Sequence, residues 1–176
     1  DEFGFTRFDQ DEWAYTSQMN AARAIREGKL DDEIFPVEIR QKGKVSILEK
    51  DEGPRPETTL EGLAKLPPIF NHKSAVTGQP GSITAGNAPG VNDGGDACLL
   101  MSRAKADELG LKPIFSIIDY TEVSQPPKDI ATVPGLAVKK ILEQNDMTLD
   151  QMDIIEINEA FAAVALVSCY RILQMS

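Results

Sequence analysis

The alternation of apolar and polar positions in the first 80 residues predicts two short helices and a hairpin. Small and apolar residues recur at helical spacing between Ala14 and Ile25, behind a capping pair formed by Asp9 and Glu12. Residues 35–39 alternate apolar with polar side chains, which predicts a half-buried strand. A turn at 42–44 leads into a second run at 45–47, which predicts a hairpin. A second helix, capped by Thr58, should end before the two prolines at 67–68. These elements make a modest core, so we expect them to pack on a larger body.

From residue 81 onward the pattern changes to short apolar runs that alternate with helical segments. The runs at 97–101, 115–120 and 154–157 favour buried strands. Ser102 is placed to cap one intervening helix, and Pro134 suits the first turn of another. Strands alternating with helices predict an α/β fold in which helices cover buried sheets.

The charge balance and the length of the apolar runs exclude several classes of function. Lys and Arg total 18 while Asp and Glu total 28, a net charge of −10 that disfavours contact with nucleic-acid phosphates. The longest apolar run, residues 160–170, is much shorter than the roughly 20 residues of a membrane span. We therefore predict a protein that binds neither nucleic acid nor membrane. The chain does not begin with Met, and we expect it to be an interior piece of a longer protein.

The cysteines and the histidine indicate neither a disulfide nor a metal site. Cys98 and Cys169 lie in apolar runs, and nothing in the sequence indicates an oxidising compartment. We therefore predict two buried, reduced thiols in an intracellular protein. His72 is the single histidine and has no second His or Cys nearby, so no metal site is expected.

Asn158 is the first candidate for chemistry. It follows the apolar run 154–157 and precedes an apolar helix predicted to begin near Glu159. Its side chain would lie at the carboxyl end of a buried strand, where ligands of open α/β sheets collect. A purely structural role is also open, because Asn is among the best helix-capping residues.

The glycine-rich stretch at residues 81–95 is the second candidate. Its five glycines allow the backbone to approach a ligand closely or to adopt left-handed turns. The stretch lacks the Gly-Lys-Ser/Thr ending of a phosphate loop and does not clearly follow a strand, so it matches neither common nucleotide motif. From the residues alone, a tight structural turn is the simpler interpretation.

Both stretches resemble motifs of the thiolase family. Residues 84–88 (TAGNA), 92–94 (NDG) and 99–102 (LLMS) are similar to the family's run TAGNAS, NDG and LMS, and residues 156–163 (EINEAFAA) are similar to its NEAFAA motif. The resemblance extends over the whole chain and implies a truncated, thiolase-like α/β protein. By this resemblance, residues 1–80 are an α+β loop domain that binds coenzyme A. Residues 81–110 are the last strand and helix of the N-terminal core, and residues 111–176 are the first half of the C-terminal core.

The resemblance implies chemistry on coenzyme A thioesters. Thiolases condense acetyl-CoA or cleave 3-ketoacyl-CoA with CoA, by a ping-pong mechanism in which a cysteine carries the acyl group. Neither Cys98 nor Cys169 matches the family's catalytic cysteine motifs, and the Gly-His-Pro histidine has no counterpart here. The chain alone is therefore expected to be inactive. No tightly bound cofactor is expected, since CoA thioesters act as substrates.

The resemblance also assigns binding roles to residues of this chain. Asn158 matches the Asn that holds a water in an oxyanion hole, and Phe161 matches a residue that lines the pocket. Five more positions match CoA contacts: Arg55 and Gly62 at the nucleotide end, and Phe70, Ala85 and Pro89 along the pantetheine arm. An Arg suits the nucleotide because it can stack and donate in a fork, although a solvated loop charge is the alternative. Gly62 and Pro89 stand where many thiolases have Ser, and residues 71–80 form a longer connection than expected.

We predict an enzyme of the acetyl-CoA acetyltransferase kind that acts on acetyl-CoA, CoA and 3-ketoacyl-CoA. The assembled protein is expected to be a homodimer or homotetramer in the cytoplasm, or in an organellar matrix in a eukaryote. The main alternative is a thiolase-like protein that binds acyl chains or lipids without turnover. A subunit that completes its site with a partner chain is less favoured.

Overall fold

The computed structural model describes residues 2–70, 73 and 78–175. The chain divides into two compact units, one formed by Asp1–Gly90 and Asn158–Val167 and the other by Val91–Ile157 and Ser168–Ser176. The prediction for His72 and part of the prediction for the connection 71–80 lie outside the described residues.

The first unit is organised around helix α1, Arg7–Arg26. Thr6 caps this helix, because its Oγ1 accepts from Asp9 N at 3.2 Å while Asp9 Oδ2 accepts from Thr6 N at 2.6 Å. The predicted pair of Asp9 and Glu12 is therefore wrong, since Asp9 is the third residue of the helix, whose carboxylate accepts from Thr6, and is not the cap. Helix α1 packs against helix α2, Leu60–Ala64, and against helix α5, Ala162–Leu166.

The residue that caps α2 lies one position later in the chain than predicted. The hydroxyl that accepts from Gly62 N, at 3.0 Å, belongs to Thr59. The predicted cap, Thr58, instead donates its hydroxyl to Arg55 O at 2.8 Å, within the turn that precedes the helix.

Strands β1, Val37–Gln41, and β2, Lys44–Leu48, form the predicted antiparallel hairpin. Its turn residues, Lys42 and Gly43, have φ angles of 49° and 76°, the left-handed pair typical of a two-residue hairpin turn. The predicted half-burial of the first strand is wrong, since all five residues of β1 are exposed. A two-stranded ribbon alone offers its side chains no second layer to pack against.

The regular elements of the second unit are helices and helical turns. The unit contains helix α3, Arg103–Glu108, helix α4, Val133–Gln144, the 3₁₀ turns Pro127–Thr132 and Leu149–Gln151, and most of a π-helical turn at Val167–Ile172. As predicted, Ser102 caps α3 and Pro134 lies in the first turn of α4. Fully buried Ser168 joins α4 to the π turn, because its hydroxyl accepts from Gly135 N at 3.2 Å and donates to Ala131 O at 2.9 Å.

The three apolar runs of the second unit do not form the predicted buried strands. Leu99, Ile118 and Ile154, one from each run, keep 79%, 81% and 83% of their surface. Within the described residues, the one ladder of named strands is the hairpin of the first unit. A buried strand needs neighbouring strands for its amides and carbonyls and cover for both faces. The apolar runs therefore indicate an environment that the second unit by itself does not supply.

The cysteine prediction is only partly correct. Cys98 lies in the first of these runs and is exposed, so its predicted burial is wrong for the same reason. Cys169 is partly buried, and this burial raises the pKa of its thiol. No helix in the described ranges combines the length and the apolar character needed to cross a membrane.

Candidate functional site

The TAGNA residues form a buried turn that the side chain of Asn87 holds together. Asn87 Oδ1 accepts from Thr84 N at 2.8 Å, and Asn87 Nδ2 donates to Ser82 O at 3.1 Å. Thr84 is fully buried and Asn87 keeps 4% of its surface. The turn is thus built around a single buried amide.

Asn87 also connects this turn to helix α1 through a buried carboxylate. Its Nδ2 donates to Asp11 Oδ1 at 2.9 Å, and Arg7 Nε donates to Asp11 Oδ2 at 2.7 Å. Asp11 keeps only 3% of its surface, so these two donors replace the water that its charge would otherwise require. Arg7 donates further to Leu63 O at 2.6 Å and to Leu66 O at 3.1 Å. One network therefore fixes α1, α2 and the TAGNA turn.

The surroundings of Gly86 explain why this position of the glycine-rich stretch 81–95 is a glycine. A Cβ at this position would lie 2.7 Å from Leu66 Cδ1 and closer still to Leu63 Cδ2. The backbone of the turn therefore lies directly on α2, and an added side chain would force the two leucines to move. Close approach of the backbone to neighbouring side chains accounts for this glycine, which is neither of the two roles predicted for the stretch, namely approach to a ligand and a left-handed turn.

The NEAFAA residues form a turn that leads into α5. Ala160 N donates to Asn158 O at 2.8 Å, and Phe161 is extended, with φ of −156° and ψ of 154°. The helix begins at Ala162, so the predicted start near Glu159 is wrong. Asn158 is exposed and does not cap α5, so the alternative role as a helix cap is also wrong.

The two motif segments are joined by a backbone hydrogen bond. Ala162 N, the first amide of α5, donates to Asn87 O at 3.0 Å. The TAGNA turn therefore satisfies one of the amide groups that have no partner inside the helix. The start of α5 is positioned by the same residue that holds the turn.

A second link between the NEAFAA segment and α1 passes through Glu159. Trp13 Nε1 donates to Glu159 Oε1 at 2.7 Å, and Ser17 Oγ donates to Glu159 Oε2 at 2.7 Å. Trp13 and Ser17 are four residues apart and so share one face of α1. We call these three side chains the Glu159 clamp. Sequence reasoning missed it, because nothing in the pattern pairs residue 13 with residue 159.

An open cavity of about 160 Å³ lies beside the clamp. Its walls come from α1, from the end of the TAGNA turn and from the NEAFAA segment, and they include Trp13, Ser17, Gln18, Asn87, Pro89 and Glu159. Gln18 Oε1 accepts from Arg55 N at 2.7 Å. The backbone of Arg55 is thereby attached to the α1 wall of the cavity that Pro89 also lines.

The predicted site residues all belong to the first unit: Arg55, Gly62, Phe70, Ala85, Pro89, Asn158 and Phe161. Ile69 N donates to Ile83 O at 2.8 Å, which brings the chain next to Phe70 alongside the chain that precedes Ala85. Arg55, Gly62, Phe70, Ala85, Pro89 and Asn158 are exposed, and Phe161 is partly buried. Their contacts with a ligand remain predictions.

Comparison with known proteins identifies the family. The thiolase N-terminal domain matches residues 1–104, and the thiolase C-terminal domain matches residues 111–176. The chain belongs to the thiolase family, and the resemblance predicted from the two motifs is confirmed.

Individual relatives agree with this assignment. The chain is 46% identical, over 100% of its length, to the beta-ketoadipyl-CoA thiolase of Acinetobacter baylyi, and it covers 42% of that protein. The crystal structure of the Bacillus anthracis acetyl-CoA acetyltransferase matches 99% of the chain with a TM-score of 0.85 and 40% identity, and the chain covers 42% of that structure. The dimeric peroxisomal thiolase of Saccharomyces cerevisiae matches 99% of the chain with a TM-score of 0.83 and 38% identity, again with 42% of the relative covered. The predicted thiolase-like fold class is confirmed, and the chain spans less than half the length of these relatives.

Proposed function

We propose that this chain provides the coenzyme A-facing surface and one oxyanion-stabilising residue of a thiolase. The reaction is the condensation of acetyl-CoA, or the cleavage of a 3-ketoacyl-CoA by CoA, with the acyl group carried on a cysteine that this chain does not contain. The observation that supports the proposal is the hydrogen bond from Ala162 N to Asn87 O, which joins the two motif segments beside an open cavity.

Asn158 is the residue proposed to act in the chemistry. Its amide holds a water that donates to the thioester oxygen as negative charge develops there. Among the residues that the structure describes, none forms a hydrogen bond with the Asn158 side chain. Both amide hydrogens are therefore available to a water or a ligand.

The coenzyme A contacts are proposed to follow the exposed surface of the first unit. Arg55 has its backbone fixed by Gln18 and an exposed guanidinium, a combination suited to stacking on adenine and donating to phosphate. Gly62 lies near the same nucleotide end, in α2. Phe70, Ala85 and Pro89 lie along the pantetheine arm, and Phe161 lines the acyl pocket. In this proposal residues 1–80 are the CoA-binding loop domain, while residues 81–110 and 111–176 belong to the two core domains.

The first experiment measures the chain alone. Because it contains neither the family's nucleophilic Cys motif nor the Gly-His-Pro histidine, it should not thiolyse acetoacetyl-CoA. The assay uses 176-residue protein from a host lacking its own thiolase. Turnover above the background of a mock preparation would contradict the proposed division of catalytic residues.

The second experiment tests Asn158 in an active protein. The chain is grafted in place of the matching segment of the Bacillus anthracis acetyl-CoA acetyltransferase, to which it is 40% identical. Asn158→Ala should lower turnover about 10²–10³-fold, the usual cost of one oxyanion-hole donor, with an unchanged melting temperature. Asn20→Ala, at an exposed asparagine of α1 outside both motifs, is the matched control and should change neither. Normal turnover in Asn158→Ala would refute the role, and a graft that binds acyl-CoA without turnover would favour the lipid-binding alternative.

A further inference from the structure

We propose that Glu159 is a positioning residue, which holds the turn carrying Asn158 and Phe161 onto helix α1. The catalytic consequence of this inference rests on the proposed function of Asn158, whereas the clamp itself does not. The inference assigns to the Glu159 clamp the task of fixing where the Asn158 amide lies relative to the cavity.

The Glu159 clamp requires a long side chain with an acceptor oxygen at position 159. An indole N–H can donate but cannot accept, so Trp13 requires an oxygen at the position of Glu159 Oε1. The Ser17 hydroxyl can donate or accept, and here it donates to Oε2. Both hydrogen bonds are 2.7 Å long, as expected for bonds to a charged acceptor.

The side of the clamp on α1 is itself immobilised. Asp11 precedes Trp13 on the helix and is bound by Arg7 and Asn87 in the buried network. The Glu159 carboxylate binds α1, and α1 is the helix to which the TAGNA turn is also bound. The clamp uses a rigid support, which is what a positioning contact requires.

The turn is attached at both of its ends. At one end the Glu159 side chain binds α1, and at the other Ala162 N binds Asn87 O at 3.0 Å. Asn158 lies just outside the first attachment, and its carbonyl accepts from Ala160 N at 2.8 Å. Loss of the clamp would leave Asn158 connected to α1 only through the backbone that follows it.

Both oxygens of Glu159 are occupied by donors from α1. The carboxylate lies next to the proposed catalytic amide, so a role as general base is the competing interpretation. A base must offer a lone pair to the reacting proton, and each oxygen of Glu159 keeps only one lone pair that no donor of α1 engages. The geometry points to a holding contact, and the two interpretations differ in which substitutions the residue tolerates.

Three substitutions at Glu159 separate the effect of side-chain length from the effect of charge. Glu159→Gln keeps the length and an acceptor for Trp13, and its amide can donate to the Ser17 hydroxyl, so the clamp should survive without charge. Glu159→Asp keeps the charge but is one methylene shorter, so it should not reach both donors. Glu159→Ala removes the contact entirely. A clamp therefore predicts that Gln resembles the original protein and Asp resembles Ala, while a general base predicts that Gln fails.

The test uses the ¹⁵N-labelled chain. In Glu159→Ala and Glu159→Asp, the backbone order parameters of Asn158 and Ala160 should fall from about 0.85 to below about 0.6, with those of α1 unchanged. Trp13 is the single tryptophan, so acrylamide quenching of its fluorescence should increase in the same two variants. Glu159→Gln should retain the original values in both measurements. Unchanged order parameters and quenching in Glu159→Ala would overturn the proposal.

The grafted acetyltransferase then separates this inference from the function on which it rests. Glu159→Ala and Glu159→Asp should lower kcat about 10–100-fold with little change in KM for the acyl-CoA, because misplacement of a catalytic group affects mainly the chemical step. Glu159→Gln should restore most of kcat, and its failure to do so would overturn the positioning role in favour of a general base. If Asn158→Ala leaves turnover intact while Glu159→Ala still loosens the turn, the proposed function fails and the clamp stands.

Discussion

The side chain of Asn87 makes three hydrogen bonds in the interior of the first unit, and its removal tests the network on which the site is built. Asn87→Ala leaves Thr84 N, Ser82 O and one oxygen of Asp11 without their partner. Each buried neutral group left unsatisfied costs about 1–3 kcal/mol, and a charged one costs more. Because water can enter part of the vacated space, we expect a loss of about 3–5 kcal/mol in unfolding free energy, below the simple sum.

Two other variants are compared with Asn87→Ala in order to interpret its loss of unfolding free energy. Asn87→Asp keeps an acceptor for Thr84 N but places a second carboxylate 2.9 Å from Asp11 in a buried position. It should be at least as destabilising at pH 7, because two buried like charges oppose each other. Asn20→Ala changes an exposed asparagine of the same unit and should stay within about 0.5 kcal/mol of the original protein.

The assay is urea unfolding at pH 7, followed through the fluorescence of the single tryptophan, Trp13. Trp13 lies on α1, the helix that the network holds, so its signal reports the unit under test. The free energy is obtained from the midpoint and slope of the transition. A change below about 0.5 kcal/mol for Asn87→Ala would refute the reasoning, since it would mean that the buried amide contributes no more than an exposed one.

Three further predictions follow from single contacts. Gly86→Ala should destabilise the first unit by about 1–3 kcal/mol in the same assay, because the new methyl group meets Leu63 of α2 and Leu66 just beyond it; a change below about 0.5 kcal/mol would contradict the close packing. In native protein treated with iodoacetamide, mass spectrometry should find Cys98 labelled before Cys169, because Cys98 is exposed whereas burial raises the pKa of the Cys169 thiol; faster labelling of Cys169 would be the contrary result. The backbone and side chain of Thr6 hold the pKa of Asp9 below its usual 3.8, so its stabilising effect is complete above that pH and is lost as the pH falls through the lowered pKa. The difference in melting temperature between the original protein and Asp9→Ala should therefore be largest near neutral pH, and a difference that grows on acidification would contradict this assignment.

The sequence predicted the elements whose hydrogen bonds join residues close together in the chain. Ser102 caps α3 through Lys105 N, three residues away, and the hairpin depends on a left-handed turn at Lys42 and Gly43. Such features require only the local chain, so the local pattern is sufficient to predict them. The error at the start of α1 is also local, because Thr6 and Glu12 both lie three residues from Asp9, and only Thr6 forms the capping pair with it.

The strands could not be predicted in the same way, because burial of a strand depends on other segments. The run at 97–101 has the composition of a buried strand, yet Leu99 and Leu100 keep 79% and 64% of their surface. An apolar run indicates that a segment suits an interior, but the neighbours that create this interior are not encoded in the run itself. The prediction that Cys98 is buried failed with the strand to which it was assigned.

Long-range side-chain contacts lie beyond any periodic pattern for a related reason. Trp13 and Glu159 are 146 residues apart, and Asp11 and Asn87 are 76 apart. The motifs contain Asn87 and Glu159, but the sequence gives no indication of which distant donors reach them. The family resemblance implies a role for Asn158, but it does not show which residues hold Asn158 in place.

Asn87 and Asn158, the asparagines of the two motifs, differ in whether their side chains are hydrogen-bonded to other protein groups. Asn87 is buried, its oxygen accepts from Thr84 N and both of its amide hydrogens are used by protein groups, so it has no donor left for a ligand. Asn158 is exposed, and no residue in the described part of the chain binds its side chain, so its amide is available. A buried amide must be satisfied within the protein, whereas an amide that receives substrate must not be. The same residue type therefore holds the scaffold in one motif and is suited to face the substrate in the other, and the backbone bond from Ala162 N to Asn87 O ties the second to the first.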